Sequence, residues 1–121
     1  MFDISFYAVN GEPSDCVRIT ESIYEWLAKS SFAKIGISMD IQLHLDGEEV
    51  LLPVVELSHD IRQKLRDFFR DAIINESGTV LTKLGDSPSK EEYQQETYCM
   101  KKLLELLKCV ENENYQYLQR V

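Results

Sequence analysis

Residues 37–57 constrain the fold more than any other part of this chain. Ile37, Met39, Ile41, Leu43 and Leu45 alternate with Ser38, Asp40, Gln42 and His44, which is the period of a strand with one face against a core. Asp46-Gly47 follows. A two-residue type I′ turn needs positive φ at both positions, and this pair tolerates that at low cost. A two-residue loop sets the register: Leu43 opposite Val50, Ile41 opposite Leu52 and Met39 opposite Val54, all apolar and on one face. The other face sets His44 against Glu49, Gln42 against Leu51, Asp40 against Pro53 and Ser38 against Val55. Pro53 has no N–H to give to a ladder, so the second strand is expected at a sheet edge.

A hairpin with one apolar face needs a second layer, and the rest of the chain supplies it. Residues 2–9 read as a strand with Phe2, Ile4, Phe6 and Ala8 on one face. Asn10-Gly11-Glu12-Pro13 is a turn. Ser14 or Asp15 is expected to cap a helix to about Ser30, with Cys16, Ile19, Ile23, Trp26 and Leu27 as its stripe. Ser58 is expected to cap a second helix to about Asn75, its core side led by Ile61, Leu65, Phe68 and Phe69, and ended by Glu76-Ser77-Gly78. Residues 79–84 read as a short strand, and Gly85-Asp86-Ser87-Pro88 as a break. Ser89-Lys90-Glu91-Glu92 has the spacing of a capping box and opens a third helix, with Met100, Leu103, Leu104, Leu106, Leu107 and Val110 on its apolar side. Residues 115–121 are either a terminal strand or an extension of that helix. The expected architecture is one α+β domain over residues 1–121, ordered β-α-β-β-α-(β)-α, with helices on one face of a mainly antiparallel sheet. A length of 121 residues suits one domain.

Charge is the second constraint. The net charge is −8, and it is unevenly placed. Residues 1–57 hold ten acids (Asp3, Glu12, Asp15, Glu21, Glu25, Asp40, Asp46, Glu48, Glu49 and Glu56) against three bases (Arg18, Lys29 and Lys34). Residues 58–121 are nearly neutral. Such a surface either steers and docks a basic partner or simply keeps the chain soluble. It argues against direct nucleic-acid binding and against anionic membranes. No apolar run is long enough to span a bilayer, and the N-terminus lacks the basic start and apolar run of a signal peptide. Cytoplasmic residence is the resulting expectation.

No spacing in the sequence points to catalysis, a metal or a cofactor. His44 and His59 are the only histidines and make no HxxxH or HExxH pattern. The five glycines fall singly, not in a phosphate-binding loop. Cys16, Cys99 and Cys109 form no CxxC pair and all fall in helical patterns, where an activated thiol has no electropositive support. Arg62, Arg66 and Arg70 line one helix face, where either an acidic ligand or the nearby Asp67 and Asp71 can balance them.

Two readings of the hairpin's mixed face remain open. Leu51 and Val55 are core if a helix covers them. Uncovered, they form an apolar centre ringed by Asp40, Asp46, Glu48, Glu49 and Glu56, which suits docking of a basic protein. In size, acidity and lack of motifs the chain resembles bacterial toxin-immunity proteins, including those of contact-dependent growth inhibition systems. That resemblance implies a non-enzymatic, cytoplasmic protein without cofactor that neutralises a cognate toxin, such as a basic nuclease. Its hairpin carboxylates would stand in for substrate phosphates. The alternatives are a structural or regulatory module that self-associates through the third helix, and an enzyme of unrecognised type.

Overall fold

Among the described residues, five antiparallel strands and three α-helices make an α+β fold. The computed structural model describes residues 2–84 and 89–120. The elements are β1 (Phe2–Tyr7), β2 (Ser14–Ile19), α1 (Glu21–Lys29), a 3-10 turn (Ser31–Lys34), β3 (Met39–Leu45), β4 (Glu48–Glu56), α2 (His59–Leu84), α3 (Lys90–Glu111) and β5 (Tyr117–Gln119). The sheet order is β2-β1-β5-β4-β3.

The β3–β4 hairpin has the register read from the sequence, including Leu43 with Val50, Ile41 with Leu52 and Met39 with Val54. Asp46 and Gly47 both adopt positive φ, 51° and 81°, as a type I′ turn requires. Pro53 does not make β4 an edge. β4 lies between β3 and β5, and β3 is the edge. Pro53 is tolerated because β5 is short and pairs only with Val55 and Glu56, leaving β4 single-sided at Pro53.

The first helix starts later than its apolar spacing suggests. Residues 14–19 are strand β2, paired with β1 from Phe2↔Ile19 to Tyr7↔Ser14. Val17 and Ile19 are buried and Arg18 between them is exposed, so a period of two prevails there. Helix α1 is capped by Thr20, whose hydroxyl accepts from the Ile23 N–H at 3.4 Å. Helix α2 begins as expected, with Ser58 Oγ accepting from the Ile61 N–H at 3.3 Å. It then runs through Gly78 to Leu84, so residues 79–84 are helix and not a strand. Val80 is buried there, and one helical glycine costs only about 1 kcal/mol, which packing offsets. The break at residues 85–88 lies outside the described residues. Ser89 caps α3 by accepting from the Glu92 N–H at 3.1 Å. The C-terminal segment is strand β5, in the middle of the sheet between β1 and β4.

All helices pack on one sheet face. Ile4, Phe6, Val17, Ile19, Val55 and Leu118 point from the strands into a core completed by Leu27, Phe32, Leu65, Phe69, Leu103 and Leu106. The opposite face carries a smaller cluster of Tyr7, Leu43 and Val54, flanked by Ile41, Leu45, Leu52 and Tyr117. Among the described residues, no helix contributes to that cluster. The residue 8–13 loop lies beside it: the His44 N–H donates to the Asn10 carbonyl at 3.1 Å, and Glu12 Oε1 accepts from the Asp46 N–H at 2.7 Å.

Candidate functional site

The hairpin places the expected partner-binding residues on two faces and a turn. Asp40, Glu49 and Leu51 share the parity of Val55, which is the helix-side face; Glu48 and Glu56 share the parity of Val54, on the opposite face; Asp46 is in the turn. All five acids are exposed. Among the described residues, none of them lies within ion-pair distance of a basic side chain. Glu49 accepts instead from the Gln42 side-chain amide at 2.6 Å.

Leu51 and Val55 part company. Leu51 is 63% exposed, with Asp40, Gln42, Glu49 and Pro53 around it on the same exposed face. Val55 is 1% exposed and belongs to the core, so it cannot touch a partner. The hairpin extends past the helix layer at its turn end and is covered by it at its base. Sequence periodicity places both residues on one face, but where the helices stop decides which one is covered.

Two more apolar side chains are exposed at and just before the start of β3, Ile37 and Met39, with Met39 on the face opposite Leu51. A second open surface lies where α1, the 3-10 turn and α2 meet. Trp26 and Phe68 sit with ring centroids 6.1 Å apart in a groove of about 460 Å³ that Asp67 and Asp71 also line. Trp26 reads from sequence as part of a core stripe; in α1 that stripe buries Ile23 and Leu27, and Trp26 at its margin is exposed.

The arginine row is structural. Arg62 is 8% exposed and donates to the carbonyls of Leu57, Val110, Asn112 and Tyr115. Burial lowers its pKa from the ordinary arginine value. Arg70 donates to Glu111 at 3.0 Å, and Arg66 to Gln63 at 3.0 Å with Glu111 at 3.8 Å. Arg120, which attracted no attention in the sequence, donates to the carbonyls of Phe32, Ile35 and Gly36 and lies over the Phe32 ring. Each of these guanidiniums bonds within the chain, while the buried Arg66 Nε has no hydrogen-bond partner among the described residues.

Among the described residues, two cysteines are strongly shifted by burial. Burial pushes the Cys109 thiol up to about 12, with Asp15 adding to it, and burial followed by Glu76 pushes Cys99 up to about 11. Such thiols stay protonated and unreactive at neutral pH. Cys16 is on β2, exposed, and not in a helix as its spacing suggests. His44 faces Glu49 across the hairpin and His59 opens α2, both exposed. Among the described residues no three His, Cys, Asp or Glu side chains are grouped to hold a metal, and no helix is long and apolar enough to cross a membrane. Comparison with known proteins finds no matching family model, no similar curated protein and no similar solved structure.

Proposed function

We propose that this chain is an acidic binding protein that neutralises a basic protein partner, in the manner of a bacterial immunity protein that blocks its cognate toxin in the cytoplasm. The observation that carries the reading is the turn end of the β3–β4 hairpin. There, exposed Asp46, Glu48 and Glu49 flank the turn, exposed Leu51 and Asp40 follow Glu49 along the same face of the hairpin, and no basic side chain is paired to any of these acids among the described residues. Unpaired carboxylates raise the negative potential that steers a cationic partner, and an apolar centre slows its release once water is excluded. No cofactor is needed for this role.

The test is affinity capture of the partner from the native host, followed by stopped-flow association at several salt concentrations. The paired change Glu48→Lys and Glu49→Lys should slow association about tenfold and flatten its salt dependence. Unchanged kinetics would remove the hairpin from the interface.

One observation favours self-association instead. Leu103, Leu106 and Val110 of α3 are buried within the chain, which leaves Leu104 partly outside; Ile74 and Leu81 of α2, seven residues apart on one face, are both exposed. A module that pairs through the α2–α3 hairpin would show a sedimentation coefficient that rises with concentration, and changing Ile74 and Leu81 to Ser would abolish the rise.

A further inference from the structure

The sheet has two edges, and they differ. On β2, the Asp15 carboxylate turns back to accept from the Cys16 N–H at 2.8 Å, and Arg18 is exposed on the same strand. A self-bonded amide and an edge charge are common ways of stopping further strand pairing. On β3 there is no Lys, Arg, Pro or Gly. Its turn end is closed by the His44 N–H donating to Asn10. A two-residue hairpin makes Leu45↔Glu48 a hydrogen-bonded pair, so Leu43, Ile41 and Met39 also bond to β4, and the backbone groups of His44, Gln42 and Asp40 point away from it. Among the described residues, the outward N–H and C=O groups of Asp40 and Gln42 have no partner.

The side chains flanking this open edge say what fits there. Met39 and Ile41 line one face, with Met39 63% exposed; Asp40 and Gln42 line the other, next to Glu49 and Leu51 of β4. A strand laid along residues 38–42 would place alternate side chains against Met39 and Ile41 and the remainder against Asp40 and Gln42, at the ordinary cross-strand spacing of about 5 Å, with Glu49 one strand further in. The first set is best apolar and the second best basic. A second copy of this chain is disfavoured by like charge, since the excess acid lies in residues 1–57 on both copies.

We propose that the free edge of β3 accepts an extended segment of the partner as a sixth strand, with basic and apolar side chains alternating along it. This rests on the basic-partner reading above and specifies its docking mode. The main-chain bonds to Asp40 and Gln42 give affinity, and the alternation gives register.

The probe is a synthetic nine-residue peptide of alternating Lys and Val with blocked ends, with a same-composition control that groups the Lys and the Val in separate blocks. Amide hydrogen exchange of the full chain should show Asp40 and Gln42 slowed about tenfold by the alternating peptide and not by the control. Gln42→Pro removes an outward N–H without touching the β3–β4 ladder and should weaken peptide binding about tenfold. If that variant fails to fold, the exchange measurement on the unaltered chain still decides. No protection at Asp40 and Gln42 at millimolar peptide overturns the edge, as does equal protection by the blocked control. Protection on β2 instead of β3, or peptide-independent dimerisation through β3, also overturns it. Should Glu48→Lys with Glu49→Lys weaken peptide binding while Gln42→Pro leaves it intact, strand addition fails and acidic docking stands; the reverse pattern keeps the edge and removes the acidic reading.

Discussion

The Arg62 guanidinium on α2 donates to the Tyr115 carbonyl at 2.7 Å. The same side chain also reaches Val110 and Asn112 at the end of α3 and Leu57 at the end of β4. One residue therefore closes the C-terminal carbonyls of α3 and fixes the approach of β5 to the middle of the sheet. Removing it orphans several acceptors, each costing about 1–3 kcal/mol where buried. Arg62→Leu should lower unfolding free energy by about 3 kcal/mol, and Arg62→Lys should recover less than half, because an ammonium cannot fork to carbonyls on several sides. Urea unfolding at neutral pH measures both; a loss under about 1 kcal/mol for Arg62→Leu would mean that the carbonyls find other donors.

Arg62 also shows what the sequence did and did not disclose. Its recurrence with Arg66 and Arg70 marks a helix face, but nothing in that spacing tells that carbonyls from three other segments meet there. The β3–β4 hairpin was legible down to its register because Asp46-Gly47 is local chemistry. Strand β2 was not, because Cys16, Ile19 and Ile23 satisfy a helical period while Val17 and Ile19 satisfy a strand period. Only pairing with β1 separates the two. Within the candidate surface the charges were legible, since exposure is the default for carboxylates. The fate of Leu51 and Val55 was not, since it depends on where the helix layer ends.

That division makes a direct test. Val55→Ala should cost about 2 kcal/mol, because a buried methyl pair is lost from a core that includes Leu118 and Phe69. Leu51→Ser should stay within about 0.5 kcal/mol, since its side chain already meets water. Under the binding reading, partner dissociation should respond in the opposite order, faster for Leu51→Ser and unchanged for Val55→Ala at temperatures where both are folded. Chemical denaturation and surface-immobilised dissociation kinetics give the two columns of that comparison.

Two glycines with positive φ should behave differently. Gly47 sits in the hairpin turn at φ 81° with open space where a Cβ would stand; Gly11 sits at φ 92° with that space filled by the His44 backbone. Gly47→Ala therefore incurs only the conformational penalty, about 1 kcal/mol. Gly11→Ala must also push the residue 8–13 loop off β3, straining the Asn10–His44 and Glu12–Asp46 hydrogen bonds. Its cost should be about 2–3 kcal/mol, with faster amide exchange at His44 and Asp46. Equal stability of the two variants would mean that the loop is not held against β3.

Alkaline pH should weaken the fold through Cys109. Burial pushes its thiol from 9.0 to about 12, and the contact of its Sγ with Asp15 Oδ2 at 3.8 Å adds to the effect. The folded chain thus keeps a proton that the unfolded chain gives up above pH 9. This contribution is complete below pH 9 and falls as pH rises from about 9 toward about 12, at no more than about 1.4 kcal/mol per pH unit. Cys99, raised from 9.0 to about 11, adds a similar slope over a narrower window. Cys109→Ala should unfold more easily at every pH because a buried side chain is lost, yet its stability should decline less steeply between pH 8.5 and about 10.5. Parallel urea titrations of the two proteins across that range separate the constant packing loss from the pH-dependent part, and identical slopes would show that Cys109 titrates normally in the folded chain.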